Sequence, residues 1–351
     1  MMRYSFLVCP TCQVQLIEED GWRCPHCGGC WRDREGIPVF KRDEEHYWGE
    51  IPQPEMAELL ELAARTFWHR AIEERLYPKE RGLWEYITSL SRAEGLLFVP
   101  LDQTDWVLDY GAGWGTLSVA LAPWVQAVVA LDGTWERARF LQLRAMQEGL
   151  ANVYPLWAGD MLPLPLPSEK FSLAVLNGVL EWVPQSFPKL SPLEAQRRLL
   201  QELWRLLRPG GMLYLGIENR YGFPFFLGKT AHGDLPFASV LPRWLSDALS
   251  RSLRGEPYRT WTHSLRAYKR LLQSVGFSSV QFYWPYPSYV RPEFLIPLEE
   301  RAPLEFFLRW VWRGSSLSRR LRFWTVRLAH LGGIWKYLVP TFVILASKEE
   351  P

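Results

Sequence analysis

The sequence predicts an α/β protein, a doubly wound sheet of seven strands preceded by a small module that carries its own cysteines. Three observations predict this. The stretch "WVLDYGAGWGTLSVAL" (106–121) is an apolar run that ends in a glycine-rich turn and restarts as an apolar helix. Further apolar runs alternate with helical patterns to residue 347, which is a parallel-sheet signature. All five cysteines of the 351-residue chain lie within its first 30 residues.

The glycine-rich turn narrows the ligand. A dinucleotide fingerprint requires GxGxxG so that a pyrophosphate can meet the helix N-terminus. Here Gly111, Gly113 and Gly115 spell GxGxG, with Thr116 after the last glycine. Asp109 ends the preceding strand, where a carboxylate would repel a pyrophosphate but suits a ligand carrying an ammonium and a sulfonium. S-adenosylmethionine fits that description. The second apolar run, "AVVALDGTWERAR", ends in Asp132 followed by Gly133, at a spacing from Asp109 that suits one helix plus one strand. A carboxylate there can accept both ribose hydroxyls. A third run, 153–157, leads to Asp160 and Met161, and a fourth, 171–176, stops at Asn177. Ser191, Pro192 and Glu194 then open a helix with a capping box that ends at "RPGG", a turn before the fifth strand.

On these residues the chain resembles the class I methyltransferases, "LDYGAGWG" being similar to their first motif. The resemblance implies a Rossmann-like seven-stranded sheet and an S-adenosylmethionine site made by Asp109, Gly111, Gly113, Gly115, Asp132, Gly133, Asp160, Met161 and Asn177. In it Asp160 takes the adenine amino group and Met161 covers the ring face.

Cys9, Cys12, Cys24 and Cys27 form two CxxC knuckles separated by eleven residues. Paired thiolates two residues apart reach one tetrahedral ion, so the four are expected to hold a structural Zn2+, with Cys30 and His26 outside the knuckle spacing. A segment this short has no core of its own, and the metal would supply its stability. The continuation "GGCWRDREGIPVF" resembles the zinc-ribbon modules that accompany methyltransferases acting on RNA, protein and small molecules, so the ribbon does not select a substrate.

The chain divides accordingly. Residues 1–42 are the ribbon, 43–99 a linker and helical cap, and 100–297 the core with an acceptor loop at 219–257. Residues 298–337 are a basic amphipathic helical insertion, and 338–351 the last core strand and tail. Two helical patterns between 55 and 98 either cover the cofactor or pack on the sheet edge. Net charge is +2, which implies no global attraction to nucleic acid. No run approaches the roughly 18 apolar residues of a spanning helix, and the N-terminus is too short in apolar residues for a signal peptide. The expected location is the cytoplasm, with peripheral contact to the inner face of the membrane as an option.

The acceptor is read from the segments after strands four and five. No cysteine lies beyond Cys30, which closes the cysteine-nucleophile route to pyrimidine carbon, and Asn177 begins "NGVLEW" rather than "NPPY". An oxygen or simple amine acceptor remains, needing alignment with the sulfonium and one general base. His232 in "KTAHGD" is the first candidate base, with Asp234 as its orienting carboxylate; Glu181, in the first turn after strand four, and Glu218 follow. The segments "ENRYG", "GKTAHGD" and "VQFYWPYPSY" resemble methyltransferases of bacterial surface-polysaccharide functions, which implies a glycan acceptor, with Trp284, Tyr286 and Tyr289 suited to a sugar face. From Arg301 to Lys336 there are eight Lys or Arg and one acid, Glu305. Leu317, Leu321, Trp324, Leu328 and Leu331 make one helical stripe flanked by Arg320 and Arg327. That helix could lie on an anionic membrane, track RNA phosphates or dock on its own core. Three functions stand: a methyltransferase for oxygen of a glycan or polar metabolite, an RNA base methyltransferase gripping RNA with ribbon and insertion, and a non-catalytic zinc-ribbon adaptor. Oligomeric state is left open.

Overall fold

The structure is a computed structural model of the chain, and it describes residues 4–230, 235–311 and 317–349. The chain forms two compact units, one taking residues up to 176 together with 201–212, the other 177–200 and 213–349.

The first unit begins with a small antiparallel sheet of β1 (Ile17–Glu19), β2 (Gly21–Arg23) and β3 (Cys30–Trp31). Two short strands follow, β4 (Asp33–Arg34) and β5 (Ile37–Phe40), and then three helices, α1 (Gln53–Arg65), α2 (Trp68–Leu76) and α3 (Arg81–Thr88). The main sheet is built from β6 (Trp106–Tyr110), β7 (Ala127–Asp132), β8 (Val153–Ala158) and β9 (Phe171–Asn177), with α4 (Thr116–Leu121) and α5 (Trp135–Gln147) between strands. Pairing of β6 with β7, β7 with β8 and β6 with β9 is parallel throughout. These strands are buried on both faces, which is why they read as near-continuous apolar runs rather than alternating ones.

The ribbon does not stop short of this sheet. β5 pairs in parallel with β8, Val39 opposite Trp157 and Phe40 opposite Ala158, so the four buried residues "IPVF" extend the sheet at its edge. Continuous burial in a short apolar run is what a parallel strand requires, whereas the sequence pattern suggests only the closure of a module. The helices α1 to α3 bury Met56, Leu59, Ala63, Ile72 and Ile87 against Trp114 of the glycine-rich loop and Phe140 of α5. In this cluster the helices pack on the glycine-rich loop and on α5, with no strand residue among the described partners.

The second unit contains α6 (Val183–Ser186), most of α7 (Pro192–Leu206) and the second half of β10 (Leu207–Glu218), whose first half belongs to the first unit. It continues through α8 (Phe223–Phe226), α9 (Arg243–Arg254), α10 (Leu265–Val275), β11 (Ser279–Ser288), β12 (Arg291–Pro297), α11 (Arg301–Phe306), α12 (Leu317–Leu331), α13 (Trp335–Leu338) and β13 (Thr341–Ser347). Within it β11 lies between β12 and β13, antiparallel to both. The last strand thus falls within 338–351 and runs antiparallel to β11. The Ser191 hydroxyl accepts from the Glu194 amide at 3.3 Å, the first half of the expected capping box. Among the described residues the larger sheet has three strands more than the expected seven: β4 and β5 come from the ribbon, and β12 is the second arm of a hairpin of which the sequence shows only the first arm, β11. No helix among the described residues is long and apolar enough to cross a membrane.

Candidate functional site

The four knuckle cysteines come together at the start of the first unit. Their sulfur atoms all lie within 4.8 Å of one another, with Cys9 to Cys27 at 3.5 Å and Cys12 to Cys24 at 3.4 Å. A tetrahedral zinc with sulfurs at about 2.3 Å separates them by about 3.8 Å, so the group fits that ion. The amide of Cys27 donates to Cys24 Sγ at 3.4 Å, and this hydrogen bond leads the causes that lower the Cys24 thiol to about 6. Cys30 lies apart, its thiol donating to the Gly28 carbonyl at 3.3 Å.

The glycine-rich loop follows β6. Gly113 and Gly115 hold φ of +57° and +77°, a region open to glycine at no steric cost. A Cβ on Gly115 would also come within 2.2 Å of Leu141 Cδ1, so the loop and α5 approach at a distance that excludes a side chain. The loop is tied to the end of β7: Gly111 and Ala112 amides donate to the Leu131 carbonyl, and the Gly113 amide donates to Asp132 Oδ2 at 2.8 Å. Asp132 Oδ1 accepts from the Thr134 amide at 2.9 Å. Burial raises the Asp132 carboxyl, opposed by these amides and by the charge of Lys41. Asp109 is buried, and the Ser118 hydroxyl of α4 donates to its Oδ2 at 2.6 Å. Burial pushes its carboxyl up to about 6, opposed by the Ser118 hydrogen bond and by the charge of Arg92.

Asp160 lies just past β8 and is engaged by the residues that follow β5. The Arg42 amide donates to its Oδ1 at 3.1 Å, the Asp43 amide to Oδ2 at 2.9 Å, and Lys41 Nζ stands 3.2 Å from Oδ2. The Arg42 guanidinium also donates to the Asp160 carbonyl. Further along the linker, Glu50 pairs with buried Arg137 of α5 and accepts from Trp114 Nε1 at 3.1 Å. Burial lowers the Arg137 guanidinium to about 9. Lys41, Glu50 and Arg92 belong to no motif that the sequence displays, and Arg137 lies in the stretch 127–139 without being singled out there. The one available signal is that the buried strand "IPVF" is followed at once by two cations, Lys41 and Arg42.

Three acids thus stand at or just beyond the C-terminal ends of β6, β7 and β8, neighbours in one parallel sheet, around a loop of left-handed glycines. Residues 108–215 match the family described as a methyltransferase domain. That stretch of the chain is a methyltransferase domain. The chain is similar to trans-aconitate 2-methyltransferase of Azoarcus sp. (strain BH72), 33% identical over 172 residues, which is 48% of this chain and 58% of that protein. It is also similar to ubiquinone biosynthesis O-methyltransferase of Haemophilus ducreyi, 32% identical over 117 residues, 32% of this chain and 45% of that protein. The matches span about half the length of those two relatives. Among solved structures, Haemonchus contortus phosphoethanolamine N-methyltransferase 2 in complex with S-adenosyl-L-methionine aligns over 83% of this chain and 60% of its own. That alignment has 16% identity and a TM-score of 0.46.

The methyltransferase domain runs on into the second unit, where the remaining site candidates fall. Asn177, at the end of β9, is buried, and its side-chain oxygen and nitrogen have no hydrogen-bond partner among the described residues. Its Oδ1 lies 2.1 Å from where a Cβ on Gly216 would be, so Gly216 makes the room for it. Tyr289 donates to Glu218 Oε1 at 2.8 Å, and its ring edge fills the space beside Gly178 and Gly216. Of the three rings suited to a sugar face, Trp284 and Tyr289 are buried and Tyr286 is half-buried. Glu181 is fully buried just ahead of α6, its carbonyl accepting from the Trp261 amide. His263 is buried with Nε2 2.8 Å from Gln196 Oε1, and burial together with Arg243 and Arg220 lowers it to about 3, so it is neutral. His232 and Asp234 lie outside the described residues.

Proposed function

We propose that this protein is an S-adenosylmethionine-dependent methyltransferase that methylates an oxygen of a small polar metabolite. The observation that carries the reading is the placement of Asp109, Asp132 and Asp160 at successive strand ends around the GxGxG loop, where open α/β sheets take their ligands. The cofactor supplies an electrophilic methyl group on a sulfonium. In this reading Asp132, whose two oxygens are each steadied by a backbone amide, receives the ribose hydroxyls. Asp160 receives the adenine amine, Met161 covers the ring, and the Gly111–Gly115 turn gives backbone close to the ligand. Gly133, the residue after Asp132, completes that strand end.

Acceptor binding is assigned to the second unit. The Tyr289–Glu218 pair fixes a hydroxyl there, and Asn177 keeps the cofactor role that the resemblance implies. Transfer needs the acceptor oxygen in line with the methyl and its proton removed. His232 takes that proton, oriented by Asp234, with Glu181 as the second group able to do so. The two relatives, a trans-aconitate 2-methyltransferase and a ubiquinone biosynthesis O-methyltransferase, favour a small acceptor. The burial of Trp284 and Tyr289 weighs against a glycan.

The test is to incubate the protein with methyl-labelled S-adenosylmethionine and a cell extract split into small-metabolite, lipid and glycan, RNA and protein fractions. Label in small metabolites supports the reading. Label confined to RNA or glycan overturns the acceptor class, and cofactor binding without label in any fraction favours an adaptor.

We further propose that the insertion docks on an anionic membrane surface. Trp310, Trp324, Leu328 and Leu331 are 75%, 52%, 65% and 57% exposed, while Val326 turns inward. The visible part of the expected stripe therefore faces away from the protein, beside Arg309, Arg327 and Lys336; Leu317, Leu321 and Arg320 have side chains outside the described residues. Exposed tryptophan and leucine with flanking cations match an interfacial helix. Sedimentation with vesicles of phosphatidylglycerol and phosphatidylcholine checks this. Binding that is lost in Trp324→Ala and Leu328→Ala or with neutral vesicles is expected, and equal recovery with neutral lipid or no binding at all refutes it.

A further inference from the structure

We infer that Lys41 is a positioning residue for the adenosine end of the cofactor, holding the two carboxylates that anchor it; the inference rests on the cofactor reading above. Strand register brings the lysine there. β5 pairs in parallel with β8 so that Phe40 lies opposite Ala158, and the next residues of the two chains are therefore Lys41 and the Gly159–Asp160 turn. Lys41 reaches that turn with its side chain only 2% exposed, the Asp160 side chain being 7% exposed. A lysine taken out of water without compensation is costly, so a cation placed there has to be matched by its surroundings.

The surroundings match it on two sides. Lys41 Nζ is 3.2 Å from Asp160 Oδ2, and it is 3.9 Å from the place a Cβ on Gly133 would occupy, the residue after Asp132. Its charge also acts on Asp132, where it favours the carboxylate. One ammonium therefore stands between the acid assigned to the ribose hydroxyls and the acid assigned to the adenine amine.

The donors on Asp160 are divided unequally. Oδ2 takes Lys41 and the Asp43 amide, and the Arg42 amide reaches it at 3.2 Å, while among the described residues Oδ1 takes the Arg42 amide alone. A carboxylate oxygen has two acceptor directions, so Oδ2 is filled and Oδ1 keeps one. Fixing the carboxylate this way leaves a single acceptor aimed at the ligand. An adenine amine satisfies it by donating. A 6-oxo purine such as hypoxanthine presents an acceptor in the same place and leaves the two oxygens opposed, a mismatch that buried polar sites reject strongly. Removing the Lys41 charge frees Oδ2, and the carboxylate can then turn or take up a water, so discrimination falls together with affinity.

The experiment measures binding of S-adenosylhomocysteine and of its inosine counterpart by titration calorimetry on the full-length, zinc-loaded protein and on Lys41→Met. Zinc content and thermal melting are recorded for each. The wild type is expected to bind the adenosine compound at least tenfold more tightly than the inosine one. Lys41→Met should lose at least tenfold in affinity for the adenosine compound and most of that preference, with one zinc retained. Unchanged affinity and an unchanged adenosine to inosine ratio in Lys41→Met overturns the role of Lys41. A wild type that binds neither compound fails the cofactor reading itself, a different result. Should Lys41→Met not fold, Lys41→Gln, which keeps a donor but no charge, is read by the same ratio. A ratio equal to that of wild type overturns the inference, and a reduced one supports it.

Discussion

Asp109→Asn is expected to make the protein more stable and a worse binder of cofactor. Asp109 is fully enclosed, and burial lifts its carboxyl from 3.8 to about 6 in spite of Ser118 and Arg92. A group whose folded pKa lies above its unfolded value stabilises the fold fully below the unfolded value, and that contribution is lost as pH rises through the folded one. A shift of about two units is worth about 3 kcal/mol, so at pH 8 the ionised Asp109 holds the protein about 3 kcal/mol below its acid-side stability. At pH 5 part of that penalty is already gone, and the same arithmetic leaves about 1.6 kcal/mol. Asparagine keeps the shape without the charge; the altered Ser118 hydrogen bond subtracts about 1 kcal/mol. Asp109→Asn should therefore gain about 2 kcal/mol at pH 8 and under 1 kcal/mol at pH 5. Urea unfolding followed by tryptophan fluorescence at the two pH values reads the difference between variant and wild type. Calorimetry with S-adenosylhomocysteine reads the lost affinity. A variant no more stable than wild type at pH 8, or a gain that does not shrink by pH 5, would refute the reasoning.

Gly115→Ala combines a left-handed backbone with a Cβ driven into Leu141 and should cost about 2 to 5 kcal/mol of stability, visible as a lowered melting temperature. A melting temperature equal to wild type would mean that the loop relaxes freely. Cys12→Ser should abolish the one equivalent of zinc released to a chromogenic chelator and make residues 4–36 sensitive to limited proteolysis, since structural zinc sites of this kind supply about 10 kcal/mol or more of folding energy. Retention of a full equivalent would argue against the four-cysteine site. His232→Ala should lower kcat by about 10²- to 10⁴-fold and erase the acidic limb of the pH profile. Full turnover with an unchanged profile removes His232 as the base.

The parts of this molecule that are legible in the sequence are those whose signal is local. Two CxxC knuckles specify their own ligand set, and the run from Trp106 to Leu121 specifies strand, turn and helix because its apolar run, its glycines and its apolar restart follow one another directly in the sequence. The acids at 109, 132 and 160 stand out because each follows a buried run. Contacts across long separations leave no such mark. The Lys41–Asp160 pair joins residues 119 positions apart, and Glu50–Arg137 joins the linker to α5. Neither pair has a period or spacing to betray it. Trp284 and Tyr289 mislead for the same reason, because the Trp284 ring packs on Phe307 and Trp335 and the Tyr289 hydroxyl donates to Glu218, contacts that no strand pattern announces.

The place of β5 explains why the N-terminal ribbon carries more than a metal. A parallel strand at a sheet edge leaves a row of amides and carbonyls that invites pairing with another chain. In the first unit β5 takes that row on β8, and its four residues are all buried in doing so. The ribbon upstream cannot hold this strand by a core of its own, but it is fastened to the same body at several points. The Val8 amide donates to Pro165, the Tyr4 hydroxyl to Pro155, and the Arg34 guanidinium lies 4.0 Å over the Trp135 ring. Once β5 is fixed in register, the residues after it have no freedom over where they fall, and Lys41, Arg42 and Asp43 arrive at Asp160. Protection of the sheet edge and placement of a buried cation beside two strand-end acids are thus consequences of one pairing. A single-residue slip of β5 would undo both together by carrying Lys41 away from the carboxylate and reversing the faces of Ile37, Val39 and Phe40.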